Sequence, residues 1–310
     1  MKIILGYTKP LDKRGNPMET YARSFHYYFK KAGHIVLPVG EGHSISDIDE
    51  IGDEWKEYDL WLDIDNGRNL KGELRFQYAD QSRKNKVNIP SAVRFIDTHG
   101  YPSLHHRAAR KYDHVFFAVW DKRDRFANHR SAHWCPNSSD DRWFDYVKYS
   151  INNRFSKFSV GFFGSKGGLE RADILKTVCD RRNLNYDIRE VGSENRQRWP
   201  STAEAMAACR ALFNYGQKHD GPNQRVIESM LMNKPLLNNK DDRDGMSKIF
   251  QENEHYLSYS NEVELGIVLD RALEDPHQLA QDMAERAYKL VKEKHLVKHR
   301  VEQILEVCQK

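Results

Sequence analysis

The chain has 310 residues, of which 39% are hydrophobic, 11% aromatic and 30% charged. That apolar content excludes a disordered chain and a mean hydropathy of −0.80 excludes a membrane-embedded one; two globular domains of about 150 residues each are expected. Lys and Arg outnumber Asp and Glu by 49 to 45, yet Asn66–Arg130 alone holds fourteen basic residues against six acidic ones, a concentration of charge that suits a polyanion.

Cys135, Cys179, Cys209 and Cys308 include no C-x-x-C pair, so neither a zinc module nor a disulfide framework is expected. Only three strongly apolar residues, Ile3 to Leu5, open the chain before polarity returns, and no later run is long enough to span a bilayer. A reducing cytoplasm and no membrane partner are the expectation.

In chain order, short apolar runs alternate with helical patterns, as stacked βαβ units of a parallel sheet require. Lys2–Leu5 reads as a buried strand, and a polar loop through Gly15 and Asn16 leads to a helix with Met18, Tyr21, Phe25, Phe29 and Ala32 on one face, stopped by Gly33. Further strands are expected at His34–Val39, Tyr58–Ile64, Ser91–Ile96 and His114–Val119. Ligands of such sheets bind beyond the carboxyl ends of the strands, so the segments Tyr7–Asn16, Asp97–Tyr101 and Trp120–Arg123 are expected to face one cleft.

A second series follows the polar stretch Lys148–Ser156. It comprises a strand at Val160–Phe163, the loop Gly164-Ser165-Lys166-Gly167-Gly168, a helix over Ala172–Val178 and a strand at Tyr186–Val191. Ser201-Thr202-Ala203-Glu204 reads as a capping box opening the next helix, followed by a strand at Ala211–Tyr215, a helix from about Asn223 to Met232 behind Gly221-Pro222, and a short apolar run at Pro235–Leu237. Asn261–Lys310 is helical throughout by period. The domains are therefore expected at 1–152 and 153–285, with 286–310 as a terminal helix.

The densest chemistry lies in Asp220-Gly221-Pro222-Asn223-Gln224-Arg225-Val226-Ile227-Glu228. Two acids stand eight positions apart across a helix start. Backbone amides with Asn223 and Arg225 at that N-terminus would present donors to a phosphate, while Glu228 would accept hydrogen bonds from a sugar or ribose hydroxyl. Taken singly, Glu228 reads first as a solvated helix acid; with Asp220, Gly221, Asn223 and Arg225 in register it reads as part of a site.

These residues resemble the GT-B glycosyltransferases with an E-x7-E motif, and in particular the CgeB-like (spore maturation protein B-like) branch. Asn223-x-Arg225-x-x-Glu228-Ser229-Met230 is similar to the family's N-x-R-x-F-E-A-M pattern, with Ile227 in place of the aromatic and Asp220 in place of the first Glu. Arg94–His99, Ala108–Phe116, His133-Trp134-Cys135-Pro136, Val160–Ser165 with Arg171, and Ala287–Ile304 resemble its other conserved segments in order.

The resemblance implies an α/β fold of two Rossmann-like αβα domains facing a central cleft, with the C-terminal helix returning toward the N-domain. It also implies an enzyme moving a sugar from a nucleotide-sugar donor, a UDP-sugar first among the candidates, with no cofactor or metal required. In that frame Glu228 holds the donor ribose, Asp220 the transferred sugar, Gly221 to Arg225 the diphosphate, and Gly164, Ser165 and Arg171 the phosphate opposite. Asp97 and His99 face the anomeric carbon or the acceptor. Retaining relatives need no protein base; in an inverting enzyme Asp97 is the candidate. Asp97 and His99 equally suit a helix cap.

Asp63-Ile64-Asp65 has the form of a metal-binding D-x-D but reads as a solvated strand-end turn, and nine of the fourteen histidines precede residue 150 without metal spacing. Trp120, Phe126 and Trp134 interleave with Lys122, Arg123, Arg125 and Arg130, which suits the phosphates of duplex DNA whose modified base is flipped toward the donor. A phage-type enzyme that glycosylates hydroxymethylated pyrimidines is one expectation. A protein, cell-surface or small-molecule acceptor, with these charges as a solvated face, is the other, and a non-catalytic sugar- or nucleic-acid-binding protein on the same fold is a third.

Overall fold

The computed structural model describes residues 1–9, 20–46, 48–64, 89–96, 102–149, 156–164, 169–190, 199–216, 222–240, 245–274 and 277–309. The chain divides into two compact units, Met1–Asn137 with Val297–Lys310, and Ser138–Leu296.

The first unit is built on six parallel strands, β1 (Lys2–Gly6), β2 (Ile35–Val39), β3 (Leu60–Ile64), β4 (Ser91–Phe95), β5 (His114–Phe117) and β6 (Ala132–Trp134), in the order β2-β1-β3-β4-β5-β6. Strand alternation sorts the side chains onto two faces. Ile3, Leu5, Leu60 and Leu62 pack with Tyr21, Phe25 and Phe29 of α1 (Tyr21–Lys31) and with Val301 and Ile304 of α8 (Val297–Cys308), the last helix of the chain. Ile4, Trp61, Val93 and Phe95 pack on the other face with Ala108 and Ala109 of α2 (Pro102–Ala109), Tyr112 and Phe126. Thr20 caps α1 by accepting from Arg23 N, and Gly33, at φ +86°, ends the turn that follows it.

Among the polar side chains buried in this unit, two are arginines. Arg94 on β4 is fully buried; its Nη2 donates to Tyr21 Oη (2.9 Å) and to the carbonyls of Cys135 (3.1 Å) and Pro136 (3.2 Å), and the guanidinium lies over the Tyr21 ring at 4.9 Å. Arg300 of α8 donates to the same Pro136 carbonyl at 2.9 Å. Two arginines thus tie α1, β4 and the terminal helix to the segment that leaves β6.

The second unit carries β7 (Phe158–Gly164), β8 (Tyr186–Glu190), β9 (Cys209–Asn214), β10 (Leu236–Asn239) and β11 (Leu257–Tyr259), all parallel, in the order β11-β10-β9-β7-β8. One face packs Phe163, Leu212 and Leu236 with α4 (Trp199–Ala207) and α5 (Gln224–Leu231); the other packs Val160, Phe162, Ala211 and Leu237 with α3 (Leu169–Arg181) and α6 (Glu262–Leu273). α7 (Leu279–Lys294) closes the unit through Ala287 and Val291.

Several expectations need correction. The units part at 137/138 and 296/297 instead of 152/153 and 285/286. Phe144 enters the second core, and Lys292 of α7 reaches Asp141 (2.8 Å) and Asp145 (2.9 Å), so both flanks belong to the second unit. Among the described residues of 261–310 there are three helices, interrupted at Gln278, whose φ is +58°, and at His295, and β11 precedes them. Ser201 and Thr202 lie within α4, which already runs from Trp199, and Thr202 is buried. Among the described residues no helix is long and apolar enough to cross a membrane.

Ile304, fully buried on α8, and Val263, 72% exposed on α6, make a matched test of these packing assignments. Ile304→Ala is expected to lower the urea unfolding free energy by about 3 kcal/mol, with Val263→Ala within about 0.5 kcal/mol of the native chain.

Candidate functional site

The second unit's carboxyl edge is organised by α5. Asn223 is its N-cap, with extended backbone (φ −71°, ψ 166°) and Oδ1 accepting from Val226 N at 3.1 Å. Pro222 lies one residue before the cap. With Val226 N taken by the cap, the remaining first-turn amides point out at the positive end of the helix. Arg225, part-buried in that turn, forms an ion pair with Glu228 one turn on.

Glu228 is not a solvated helix acid. It is 2% exposed, and although Oε2 is in ion-pair contact with Arg225, it makes no aligned hydrogen bond within the chain. Burial pushes its carboxyl up to about 7, against the lowering effects of Arg225 and of a hydrogen bond with Gln224. The neighbouring Ser229 is also buried with its hydroxyl without a partner.

Strand pairing brings a second segment beside α5. β7 is hydrogen-bonded to β9, so the turn after β7 and the turn leading into α5 leave adjacent strand ends. Gly164 ends β7, where a Cβ would meet the Phe162 ring at 2.5 Å, a packing reason for glycine independent of any ligand. Arg171 lies in the first turn of α3. Asp97, His99, Ser165, Asp220 and Gly221 lie outside the described residues.

In the first unit the expected acceptor-side residues fall on a 3-10 turn, Trp120–Phe126, in place of an open loop. Lys122 is paired with Asp121; Arg123 lies over the Trp120 ring at 4.9 Å and 3.6 Å from Asp124; Arg130 is paired with Asp113. Burial holds the Arg125 guanidinium below its usual range. Phe126 is core, stacked between Phe95 (5.6 Å) and Phe117 (5.3 Å). Trp134 packs edge-on against Trp120 at 4.9 Å and donates to Ala118 O at 3.0 Å.

Asp63 is likewise not a solvated turn acid. It is 1% exposed and accepts from Trp61 Nε1 at 2.9 Å and from the Tyr112 hydroxyl. Among the described residues no group of three or more His, Cys, Asp or Glu is arranged to hold a metal ion.

The sequence reading missed the asparagines at the carboxyl ends of β9 and β10. Asn214 and Asn238 are both 3% exposed and hydrogen-bonded to each other at 2.6 Å. The signal was present as Leu212-Phe213-Asn214 and Leu236-Leu237-Asn238-Asn239, apolar runs ending in amides where a parallel strand meets its ligand edge.

Residues 171–306 match a family model described as glycosyl transferase-like. Among solved structures, HepE from Anabaena in complex with UDP and glucose aligns at TM-score 0.63 and 13% identity, covering 100% of this chain and 99% of that one. The DNA-modifying enzyme β-glucosyltransferase aligns at TM-score 0.64 and 14% identity over 100% of both chains, and T4 phage BGT in complex with UDP and Mn2+ at TM-score 0.61 and 14% identity, also over 100% of both. No curated protein matches. The fold is the α/β GT-B arrangement of two parallel sheets with flanking helices, and the glycosyl transferase-like match lies within residues 171–306.

Glu228 yields a signed prediction. Its folded-state pKa, about 7, exceeds the unfolded value near 4.5, so the native state holds a proton the unfolded chain has lost; stability falls as pH rises from 4.5 to 7 and is level above. Relative to the native chain, Glu228→Gln is expected to gain stability between pH 4.5 and pH 8, by at most on the order of 3 kcal/mol, measured by urea unfolding at both pH values. A pH-independent difference would contradict the buried-carboxyl assignment.

Proposed function

We propose that the protein transfers a sugar from a UDP-sugar to a hydroxyl acceptor, and that this acceptor is the hydroxymethyl group of a modified pyrimidine in duplex DNA. The observation that carries the donor half is the start of α5, where the first-turn amides and Arg225 meet the buried Glu228. Amide donors and a guanidinium suit a pyrophosphate, and an Oε2 without an aligned partner suits a ribose hydroxyl. Asp220, on the approach to α5, would address the transferred sugar. Gly164, Ser165 and Arg171, following the adjacent strand β7, would meet the phosphates from the other side.

In the reaction the acceptor oxygen forms a bond to the anomeric carbon as the bond from that carbon to the diphosphate oxygen breaks. Negative charge builds on the departing UDP, where Arg225 and the helix N-terminus stabilise it. The acceptor proton passes to the departing phosphate if configuration is retained, the course that the family resemblance favours, and to Asp97, in the segment that also holds His99, if configuration is inverted.

The DNA half is supported by the basic excess in Asn66–Arg130, by the Trp120–Arg123 stack, and by full-length similarity to a DNA-modifying glucosyltransferase. Phosphate contacts would hold the duplex while a flipped base presents its hydroxymethyl group. A second reading, a protein, cell-surface or small-molecule acceptor, is favoured by one observation: Asp121, Asp124 and Asp113 face Lys122, Arg123 and Arg130, which lowers the positive potential offered to a polyanion.

Incubation of the protein with UDP-sugars and hydroxymethylpyrimidine DNA, followed by mass analysis of digested nucleosides, is expected to give both UDP release and a sugar-bearing nucleoside. Arg225→Ala is expected to lower turnover on the order of 100-fold, and the Lys122, Arg123, Arg125 triple alanine variant to lose salt-sensitive DNA binding while retaining donor binding. UDP release without a DNA product would keep the donor half and point to the second reading; no turnover with any nucleotide sugar would leave only a binding protein.

A further inference from the structure

We propose that Asn214, Asn238 and Asn239 are positioning residues for the donor site, acting as an amide relay that fixes both ends of the connection from β9 to α5. The proposal rests on the reading of α5 as the donor-binding element.

The relay runs in one direction. Asn223, the N-cap, donates through Nδ2 to Asn214 Oδ1 (3.3 Å); Asn214 donates through Nδ2 to Asn238 Oδ1 (2.6 Å); and Asn238 donates through Nδ2 to the Asn239 carbonyl (2.9 Å). Asn239 turns back through Oδ1, which accepts from Gly216 N at 2.6 Å. The Asn214 carbonyl accepts from Tyr259 Oη at 3.1 Å, which holds β9 from the β11 side of the sheet. Residues 216 and 223, the two ends of the connection carrying Asp220 and Gly221, are thus tied to the same chain of amides.

Two buried amides are an expensive way to end two strands if packing is all that is required, because each must have its partners or forfeit its solvation. Aligned side-chain amides polarise one another, so a donor-type bond on Asn223 Nδ2 strengthens Oδ1 as the acceptor for Val226 N. The relay therefore sets the cap, the cap sets the rotation and start of α5, and that start aims the first-turn amides, Arg225 and Glu228. A Cβ at Gly216 would lie 3.5 Å from Asn239 Oδ1 and 3.9 Å from Asn223 Nδ2, so the two ends of the connection meet at the same amide pair.

The test compares Asn214→Ala, Asn239→Ala and Asn239→Asp with the native chain and with Arg225→Ala. It measures UDP affinity by titration calorimetry, donor KM, acceptor KM, kcat and thermal midpoint. Both alanine variants are expected to weaken UDP binding and raise donor KM by on the order of tenfold with acceptor KM unchanged, whereas Asn239→Asp, which keeps the acceptor for Gly216 N, stays within about twofold. Native UDP affinity and donor KM in the alanine variants, with only a lowered midpoint, would overturn the relay while loss of binding in Arg225→Ala upheld the donor site. Failure of the native chain to bind UDP would overturn the donor reading, and the relay with it. Should Asn214→Ala not fold, the Asn239 pair, on a partly exposed residue, decides the matter.

Discussion

Asn214 and Asn238 end neighbouring strands that are buried on both faces, and their side-chain amides, out of reach of water, must find partners within the chain. A parallel sheet covered by helices leaves few polar groups nearby. The partners available are each other, the next carbonyl and the cap of α5, and once those bonds form the helix start has one position. The geometry of the α5 start, the donor site proposed above, is in this sense a consequence of satisfying a sheet edge. Arg225 and Glu228 then inherit their places from the helix, at the second and fifth residues beyond the cap.

Glu228 shows how burial and pairing compete at such an edge. Its ion pair with Arg225 lowers the carboxyl pKa and its desolvation raises it, and desolvation prevails because Oε2 has no aligned hydrogen bond to offset the lost water. A group that carries a proton near neutrality is tuned by any ligand that brings donors to it. The first unit handles its buried polar groups otherwise. Arg94 is taken up by a phenol and two carbonyls, and Asp63 by an indole and a phenol; these side chains brace the sheet and its connections.

The terminal helix shows a further constraint. Its apolar stripe, Val297, Val301, Ile304 and Leu305, completes a face of the first sheet begun by α1, so a unit formed by residues 1–137 has its core closed by a helix that begins 160 positions later in sequence (297 − 137). Hydrophobic period identifies such a helix but carries no information about which of two sheets it will cover. That is why the second unit extends to Leu296 and the crossover falls at Val297, several residues beyond the expected start of a terminal helix.

Local pattern was enough for most of the strands and helices. Apolar runs such as Ile3–Leu5 and Val160–Phe163 can be buried only as strands between helices, Asn223 in front of an amphipathic run is a cap on any fold, and Gly33 marks a turn that only a left-handed residue makes readily. The helix start from Asn223 to Glu228 was likewise readable, because its polar groups are concentrated in one helix turn and a half. Tertiary structure alone decided whether a given polar residue met water or another side chain. It buried Glu228, turned Asp63 from an expected surface acid into a buried one, set Lys122, Arg123 and Arg130 against aspartates close by, moved Phe126 into a core, and joined asparagines 24 positions apart into one hydrogen-bonded chain. Burial and partnership depend on which strands lie side by side, and strand order is a long-range property that no window of the sequence contains.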